Sequence, residues 1–405
     1  MTQIVVSKSA VLPGEVVLPA SKSISNRALI ISALSGTKDV PENVSECDDT
    51  FVMVRALGAP AGQETIDIMA AGTAMRFLTA YLCVQEGEER VLTGTERMKH
   101  RPIAILVDAM RSLGADIEYV GEEGFPPLRI KGKSLAGGSI ELAGNVSSQY
   151  ISAMLMIGPV LKEGLTLTLT GGIVSRPYID MTLSIMREFG AVATFEGNVI
   201  RVEPTGYKPI PYYIENDWSA SSYWYEMVAL TPEGEVRLPG LFAESLQGDQ
   251  GVKDIFGMLG VETSFGDGVL LRHTGKRVER LDIDMLRVPD LAQTVVVTCC
   301  MLDVPFRITG LQSLKIKETD RITALRTELR KLGYVIGEEN DSVLLWDGTR
   351  CEADEQPAID TYEDHRMAMS FAPCCQVLGE IRINNPEVVS KSYPTFWKEF
   401  TVNNS

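Results

Sequence analysis

Two patterns of apolar and polar positions alternate along the 405 residues. In the first, a polar or Gly/Ser-rich start leads into an apolar helix, a short turn and a β-strand. It runs over residues 21–40, 72–94, 147–171, 217–240, 289–310 and 364–385. Four of the strands close alike, as Val-Leu-Thr-Gly94, Leu-Thr-Leu-Thr-Gly171, Val-Arg-Leu-Pro-Gly240 and Phe-Arg-Ile-Thr-Gly310, with glycine marking the turn that leaves the strand.

The second pattern is an amphipathic helix that stops at Leu-Gly or Phe-Gly and is followed by alternating strands. Its ends are Met-Arg-Ser-Leu-Gly114, Met-Arg-Glu-Phe-Gly190, Phe-Gly-Met-Leu-Gly260 and Leu-Arg-Lys-Leu-Gly333. An apolar residue just before a C′ glycine is the expected helix stop. Strands are predicted at 115–120 with 128–131, and at 334–337 with 342–346. A fifth copy ends at Val-Arg-Ala-Leu-Gly58 and has lost most of its hairpin. A sixth has a helix over 393–400 and no hairpin after it. Residues 4–6 and 15–18, flanking Pro13-Gly14, are expected to supply that hairpin from the N-terminus. Six two-helix units result, three on each side of Glu215. The domains expected are 20–215 and 1–19 with 216–405, with the functional site in a cleft between them.

Composition narrows the class. Apolar content of 45% and charged content of 23% fit a globular protein, and no apolar run is long enough to span a bilayer. With no basic and apolar leader at the N-terminus, a cytoplasmic location is expected. The seven cysteines have neither metal-ligand nor disulfide spacing. A net charge of −16 argues against nucleic acid as the main partner. Anions remain possible ligands if basic residues converge locally.

They do so at the helix starts. First-pattern helices begin at Ser21-Lys22, Gly72-Thr73, Ser147-Ser148, Asp217, Asp290 and Asp364-His365-Arg366. Second-pattern helices are preceded by Arg97 to Arg101, Ser175-Arg176-Pro177-Tyr178, Lys317-Glu318 with Arg321, and Ser390-Lys391. Any one of these is an ordinary cap. In register across a repeat, they bring helix dipoles and cations to one place, which suits phosphate and carboxylate ligands. Asp290 and Glu318 sit among the cations, where a carboxylate can move protons; alone, each also reads as a cap or as an i,i+3 ion pair. His100, His273 and His365 have no metal-ligand spacing, and no dinucleotide, Walker or serine-hydrolase motif is present.

Together these motifs resemble the 3-phosphoshikimate 1-carboxyvinyltransferase (EPSP synthase) family over essentially the whole length. Residues 21–27, 72–76, 96–102, 147–149, 175–178, 289–290, 317–321 and 364–369 carry the likeness. The resemblance implies an α/β fold of two similar domains, each of three βαβαββ units around a pseudo-threefold axis. It implies transfer of the enolpyruvyl group of phosphoenolpyruvate to the 5-hydroxyl of shikimate 3-phosphate, through a tetrahedral intermediate and without metal or cofactor. Shikimate 3-phosphate would be held by Lys22, Ser23, Arg27, Ser147, Ser148, Gln149, Ser175, Tyr178, Asp290 and Lys317. Phosphoenolpyruvate would be held by Lys22, Gly72, Arg101, Gln149, Arg321, Arg366 and Lys391. Asp290 would take the hydroxyl proton and Glu318 would serve the methylene carbon, with Lys22 and Lys391 also in the catalytic set. Partners would be these two small molecules, with no nucleic acid, no membrane and a monomeric chain.

The chain departs from the family's pattern at Ala70 and Ser313, where asparagine is usual, at Phe77, where proline is usual, and in a shortened segment 58–69. Retention of Gly72 implies sensitivity to glyphosate. The rival enolpyruvyl transferase acting on UDP-N-acetylglucosamine carries a loop cysteine, and residues 93–102 contain none. A non-catalytic anion-binding protein on the same fold would not need both Asp290 and Glu318.

Overall fold

The first-pattern helices become the centres of two units. A computed structural model describes residues 2–401 except Lys38, Ala61 and Ser175. One unit comprises Ala20–Ile214; the other comprises Met1–Pro19 and Glu215–Ser405.

In the first unit, helices Lys22–Leu34, Gly72–Cys83 and Ser148–Ile157 pack against one another and are buried over most of their lengths. A helix apolar on all sides has no face to give to water, so it takes the middle. The amphipathic helices Ala104–Ser112 and Arg176–Glu188 bury one stripe only. Around them lie two four-stranded sheets of identical plan. Thr65–Asp67 and Glu89–Thr93 run parallel, and the hairpin Asp116–Tyr119 with Leu128–Lys131 adds antiparallel to the second strand. Gly138–Ala143, Leu165–Thr170, Ala193–Glu196 and Val199–Val202 repeat it. The parallel pair in each sheet is spanned by a central helix, as a crossover requires.

The third repeat of this unit is reduced. It keeps helices Lys22–Leu34 and Asp48–Leu57, but among the described residues its sheet is reduced to a parallel bridge between Glu42 and Tyr213. Glu42 N donates to Tyr212 O (2.7 Å) and Ile214 N to Glu42 O (3.0 Å). Gly58 differs with it: its φ of −85° is an ordinary one, whereas Gly114, Gly190, Gly260 and Gly333 all take φ between 87° and 96°. After Gly114, Gly190 and Gly333 the next residue donates back across the turn, as Ala115 N does to Met110 O (3.0 Å).

The second unit is centred on helices Trp218–Leu230, Ala292–Met301 and His365–Phe371, again mutually packed. Its sheets are Glu235–Leu238, Gly268–His273 and Val261–Gly266; Leu281–Asp284, Phe306–Thr309, Val343–Trp346 and Gly337–Glu339; and Gln3–Ser7, Glu380–Asn384 and Ala358–Ile359.

Four expectations need correction. The N-terminal residues do not form a hairpin. Gln3–Ser7 pairs antiparallel with Glu380–Asn384, while Gly14 to Val16 run parallel to the strand at Arg237, in another sheet. Pro13-Gly14 therefore turns the chain between sheets rather than between partners. The strand placed at 334–337 begins at Gly337 instead: Tyr334 bridges antiparallel to Arg350, with Val335 N donating to Thr349 O (3.2 Å), so the preceding residues pair with 349–351 outside that strand. The helix expected over 393–400 forms as Phe396–Thr401, after Pro394. Glu215, read as the end of the first domain, packs with the second unit. Its carboxylate accepts from Trp218 Nε1 (2.7 Å), Phe242 N (2.9 Å), Ser245 Oγ (2.5 Å) and Gln247 Nε2 (2.8 Å). No helix among the described residues is long and apolar enough to cross a membrane.

Candidate active site

In the first unit, three described helix starts carry candidate anion ligands. Ser21 caps the helix Lys22–Leu34 by accepting from Ile24 N, which leaves Lys22 at its first turn. Lys22 Nζ lies 3.3 Å from Asp49 Oδ2, on the adjacent helix, and Asp49 is buried. Arg27, one turn on, is buried. Its Nε donates to Thr182 Oγ1 (2.7 Å), Nη2 to Ser152 Oγ (3.1 Å) and Nη1 to Ser23 O (2.9 Å). Its guanidinium carbon stands 5.3 Å from the ring centroid of Phe77 and 5.9 Å from that of Tyr178. Burial pulls the Arg27 guanidinium down to about 10, with Tyr178 opposing. Phe77 is thus the apolar wall behind a buried cation.

Gly72 opens the next helix, and its lack of a side chain is used. A Cβ there would lie 2.6 Å from Arg101 Nη1 and 3.1 Å from Arg101 Cζ, so the guanidinium rests directly on the glycine. Arg76 braces the same corner from inside. Its Nη1 donates to Gly72 O (3.0 Å) and its Nη2 to Pro102 O (3.2 Å), which also receives Tyr150 OH (2.7 Å). Ser147 caps the third helix, accepting from Gln149 N, and Gln149 Nε2 donates to Thr73 Oγ1 (3.1 Å). Ser148 is half-buried beside them. Ser175 lies outside the described residues.

In the second unit, the candidates collect around one arginine. The Arg321 side chain is 2% exposed, and three carboxylates share it. Nε donates to Asp364 Oδ2 (2.7 Å), Nη1 to Asp290 Oδ1 (2.9 Å) and Nη2 to Glu318 Oε2 (2.9 Å). Each carboxylate has further work. Asp364 caps the helix His365–Phe371 through Arg366 N (2.9 Å). Asp290 meets Lys317 Nζ at 3.3 Å and Arg366 Nη2 at 3.5 Å. Glu318 meets Lys391 Nζ at 3.0 Å. Burial pushes the Asp290 carboxyl up, but Lys317, Arg366 and Arg321 together overcome that and hold it well below the usual range. Arg321 is disfavoured by burial and more than repaid by Asp364, Glu318 and Asp290, so its proton is held more tightly than usual. The result is an anionic base, Asp290, and a second carboxylate, Glu318, shared between two cations.

Sequence reasoning missed several members of these clusters. Asp49, Ser152, Thr182 and Tyr150 hold Lys22, Arg27 and the Arg101 corner, yet each reads as an ordinary helical residue. Asp364 is legible as a cap but not as the main partner of Arg321. Asp249, buried on the 3₁₀ turn Gly248–Gly251 and bonded by the Ser219 hydroxyl, lies in a polar stretch without a helix signal. Of the departures, Ser313 keeps its Oγ buried with no hydrogen-bond partner among the described residues, and Ala70 is exposed.

Comparison with known proteins adds an independent finding. The family profile described as EPSP synthase (3-phosphoshikimate 1-carboxyvinyltransferase) matches residues 6–61 and 58–400. A 3-phosphoshikimate 1-carboxyvinyltransferase of Bacteroides fragilis is 60% identical over 384 residues, covering 94% of this chain and 93% of that protein. The protein of the same description from Vibrio cholerae is 36% identical over 416 residues, covering 96% of each. A solved structure of EPSP synthase from Acinetobacter baumannii superposes with a TM-score of 0.78 at 22% identity, over 99% of this chain and 98% of that one.

Proposed function

This chain belongs to the EPSP synthase family, and we propose that the residues described above carry out that family's reaction. The enolpyruvyl group of phosphoenolpyruvate passes to the 5-hydroxyl of shikimate 3-phosphate, and inorganic phosphate leaves. The proposed division of labour follows the two clusters. Lys22, Ser23, Arg27, Ser147, Ser148, Gln149 and Tyr178, with Ser175, Asp290 and Lys317, hold shikimate 3-phosphate. Arg321, Arg366 and Lys391, with Lys22, Gly72, Arg101 and Gln149, hold phosphoenolpyruvate.

The chemistry needs an acid at one carbon and a base at one oxygen. A proton delivered by Glu318 to the methylene carbon leaves cationic character on its neighbour. The 5-hydroxyl attacks that neighbour, and its proton goes to Asp290. In the second half the same methyl group loses a proton to Glu318 as the phosphate bond breaks, which regenerates the enol. An oxygen nucleophile is activated only by a base that is still anionic, and the Lys317, Arg366 and Arg321 charges keep Asp290 in that state. Glu318 holds the two cations, Arg321 and Lys391, that an incoming phosphate would claim. Substrate binding therefore competes for them and releases the carboxylate for its work on carbon. All the side chains required come from one chain, and we take the working species to be a monomer.

The single observation that carries the assignment is the sharing of Arg321 among Asp290, Glu318 and Asp364, with a lysine on each of the first two. Its test is phosphate release from phosphoenolpyruvate in the presence of shikimate 3-phosphate. Glu318→Gln is expected to bind both substrates and to lose at least about a hundredfold in turnover. Full turnover by that variant would remove Glu318 from the mechanism. Release with UDP-N-acetylglucosamine, and none with shikimate 3-phosphate, would assign the rival transferase instead.

A further inference from the structure

The second unit's cluster contains a buried carboxylate, Asp249, that forms no ion pair among the described residues and feels one cation, Arg366, only at longer range. Its acids are Asp217, Asp249, Asp290, Glu318 and Asp364. Its cations are Lys317, Arg321, Arg366 and Lys391. These five acids outnumber the four permanent cations, with the titratable His365 Nδ1 3.9 Å from Asp364 Oδ1. The cations are unevenly shared. Lys317, Arg321 and Arg366 all lie within 3.5 Å of Asp290, Arg321 and Lys391 within 3.0 Å of Glu318, and Arg321 at 2.7 Å from Asp364. Asp217 has the positive end of a helix, accepting from Ser219 N (2.7 Å) and Ala220 N (3.4 Å).

Asp249 has neither. It is 6% exposed and forms no ion pair among the described residues. Its hydrogen-bond partner is a neutral one, the Ser219 hydroxyl, which donates to Oδ2. Three charged groups act on it from the elements packed around its turn. Asp290 and Asp217 disfavour its ionised form, and Arg366 favours it. The helix that follows, Val252–Met258, brings no relief: its Lys253 and Asp254 line a surface hollow with Thr263 and Phe265.

An anion entering such a cluster makes every ionised carboxylate in it less favourable, and the acid with least compensation yields first. We propose that Asp249 takes up a proton from solvent when phosphoenolpyruvate binds, so that the cluster can accept the ligand's charge. The inference rests on the reading that Arg321, Arg366 and Lys391 hold phosphoenolpyruvate. One proton leaves the buffer and one O–H bond forms on Asp249; no bond of the ligand changes. The Ser219 hydroxyl then turns from donor to acceptor. Asp249 touches no reacting atom, so it is a positioning residue that sets the charge of the site. Its free state is suited to this, because burial and then Asp290 push its carboxyl up to about 6, close enough to neutrality for a modest perturbation to protonate it.

The test is calorimetric. Phosphoenolpyruvate is titrated into the full chain at pH 7, in buffers of different ionisation enthalpy, for wild type, Asp249→Asn and Ser219→Ala. The ligand's own ionisation is common to all three, so differences between them isolate the protein. Wild type is expected to take up more protons per ligand bound than Asp249→Asn. From pH 6 to pH 8 its Kd is expected to weaken about fivefold more than the variant's, if binding raises the Asp249 carboxyl by about one pH unit. Ser219→Ala removes the donor that favours the ionised carboxylate, and the midpoint of uptake is expected to move to higher pH. Equal uptake by wild type and Asp249→Asn would overturn the proposal. Should Asp249→Asn fail to fold, an unmoved midpoint in Ser219→Ala would do the same. Absence of any phosphoenolpyruvate binding by wild type would instead overturn the assignment of the three cations, and the proposal with it.

Discussion

Glu226 offers a sharp stability experiment. It sits in the middle of the helix Trp218–Leu230 at 0% exposure, with neither carboxylate oxygen accepting a hydrogen bond within the described residues. The Thr298 hydroxyl opposes the effect of burial only weakly, since it donates to Thr294 O (2.7 Å). Its titratable surroundings are the thiols Cys299, Cys374 and Cys375, themselves pushed up by burial. Burial therefore raises the Glu226 carboxyl well above its ordinary 4.5, and the folded protein holds it as the neutral acid. The unfolded chain releases that proton above pH 4.5, so stability from this group is lost progressively as pH rises. Each pH unit costs about 1.4 kcal/mol, which over the 2.5 units to pH 7 amounts to about 3 kcal/mol while the folded state keeps its proton. Glu226→Gln preserves shape and removes the proton-linked penalty. It is expected to stabilise the second unit by up to about 3 kcal/mol at pH 7, or roughly 6–10 °C in its Tm, and by almost nothing at pH 4. Calorimetric melting of both proteins at pH 4, 5.5, 7 and 8 measures this. An advantage that does not grow with pH would refute the reasoning, since it would mean that the carboxylate is ionised and compensated in the core.

Three further outcomes follow from the site. Gly72→Ala places a Cβ 2.6 Å from Arg101 Nη1, which forces the guanidinium aside; the KM for phosphoenolpyruvate is expected to rise about tenfold or more with little change for shikimate 3-phosphate. An equal change in both would place Arg101 elsewhere in the reaction. Lys317→Met removes one of the cations holding Asp290 ionised, so the acid limb of kcat/KM is expected to move to higher pH, read from rates between pH 3 and 7. With Gly72 retained, millimolar glyphosate is expected to inhibit turnover in competition with phosphoenolpyruvate, and uninhibited turnover at that concentration would refute this.

Much of the fold was legible because it is repetitive. A helix apolar on every side, a polar start and a glycine stop recur often enough that one copy explains another. What failed was pairing. Residues 4–6 and 15–18 are good strands, but alternation says only that a strand has two faces and not which sheet will take it. The charged members of the site were legible through their places at helix starts. Thr182 and Ser152 were not, because a residue that holds Arg27 from across the unit looks locally like any other buried helical position. Asp249 was invisible for the opposite reason: its turn has no periodicity to read.

The two separate attachments of the N-terminal segment bear on how the protein is made. Gln3 pairs with Asn384, 381 residues later, whereas residues 20–214 contain everything their own unit needs. At ribosomal speeds of about 5–20 residues per second, the first strand waits roughly 20–80 s for its partner. The unit that is second in sequence but holds the first residues must therefore close last, around a segment already emerged. Until then Gln3–Ser7 is an unpaired strand edge, and chaperone capture or aggregation at this edge is the hazard that the topology builds into synthesis.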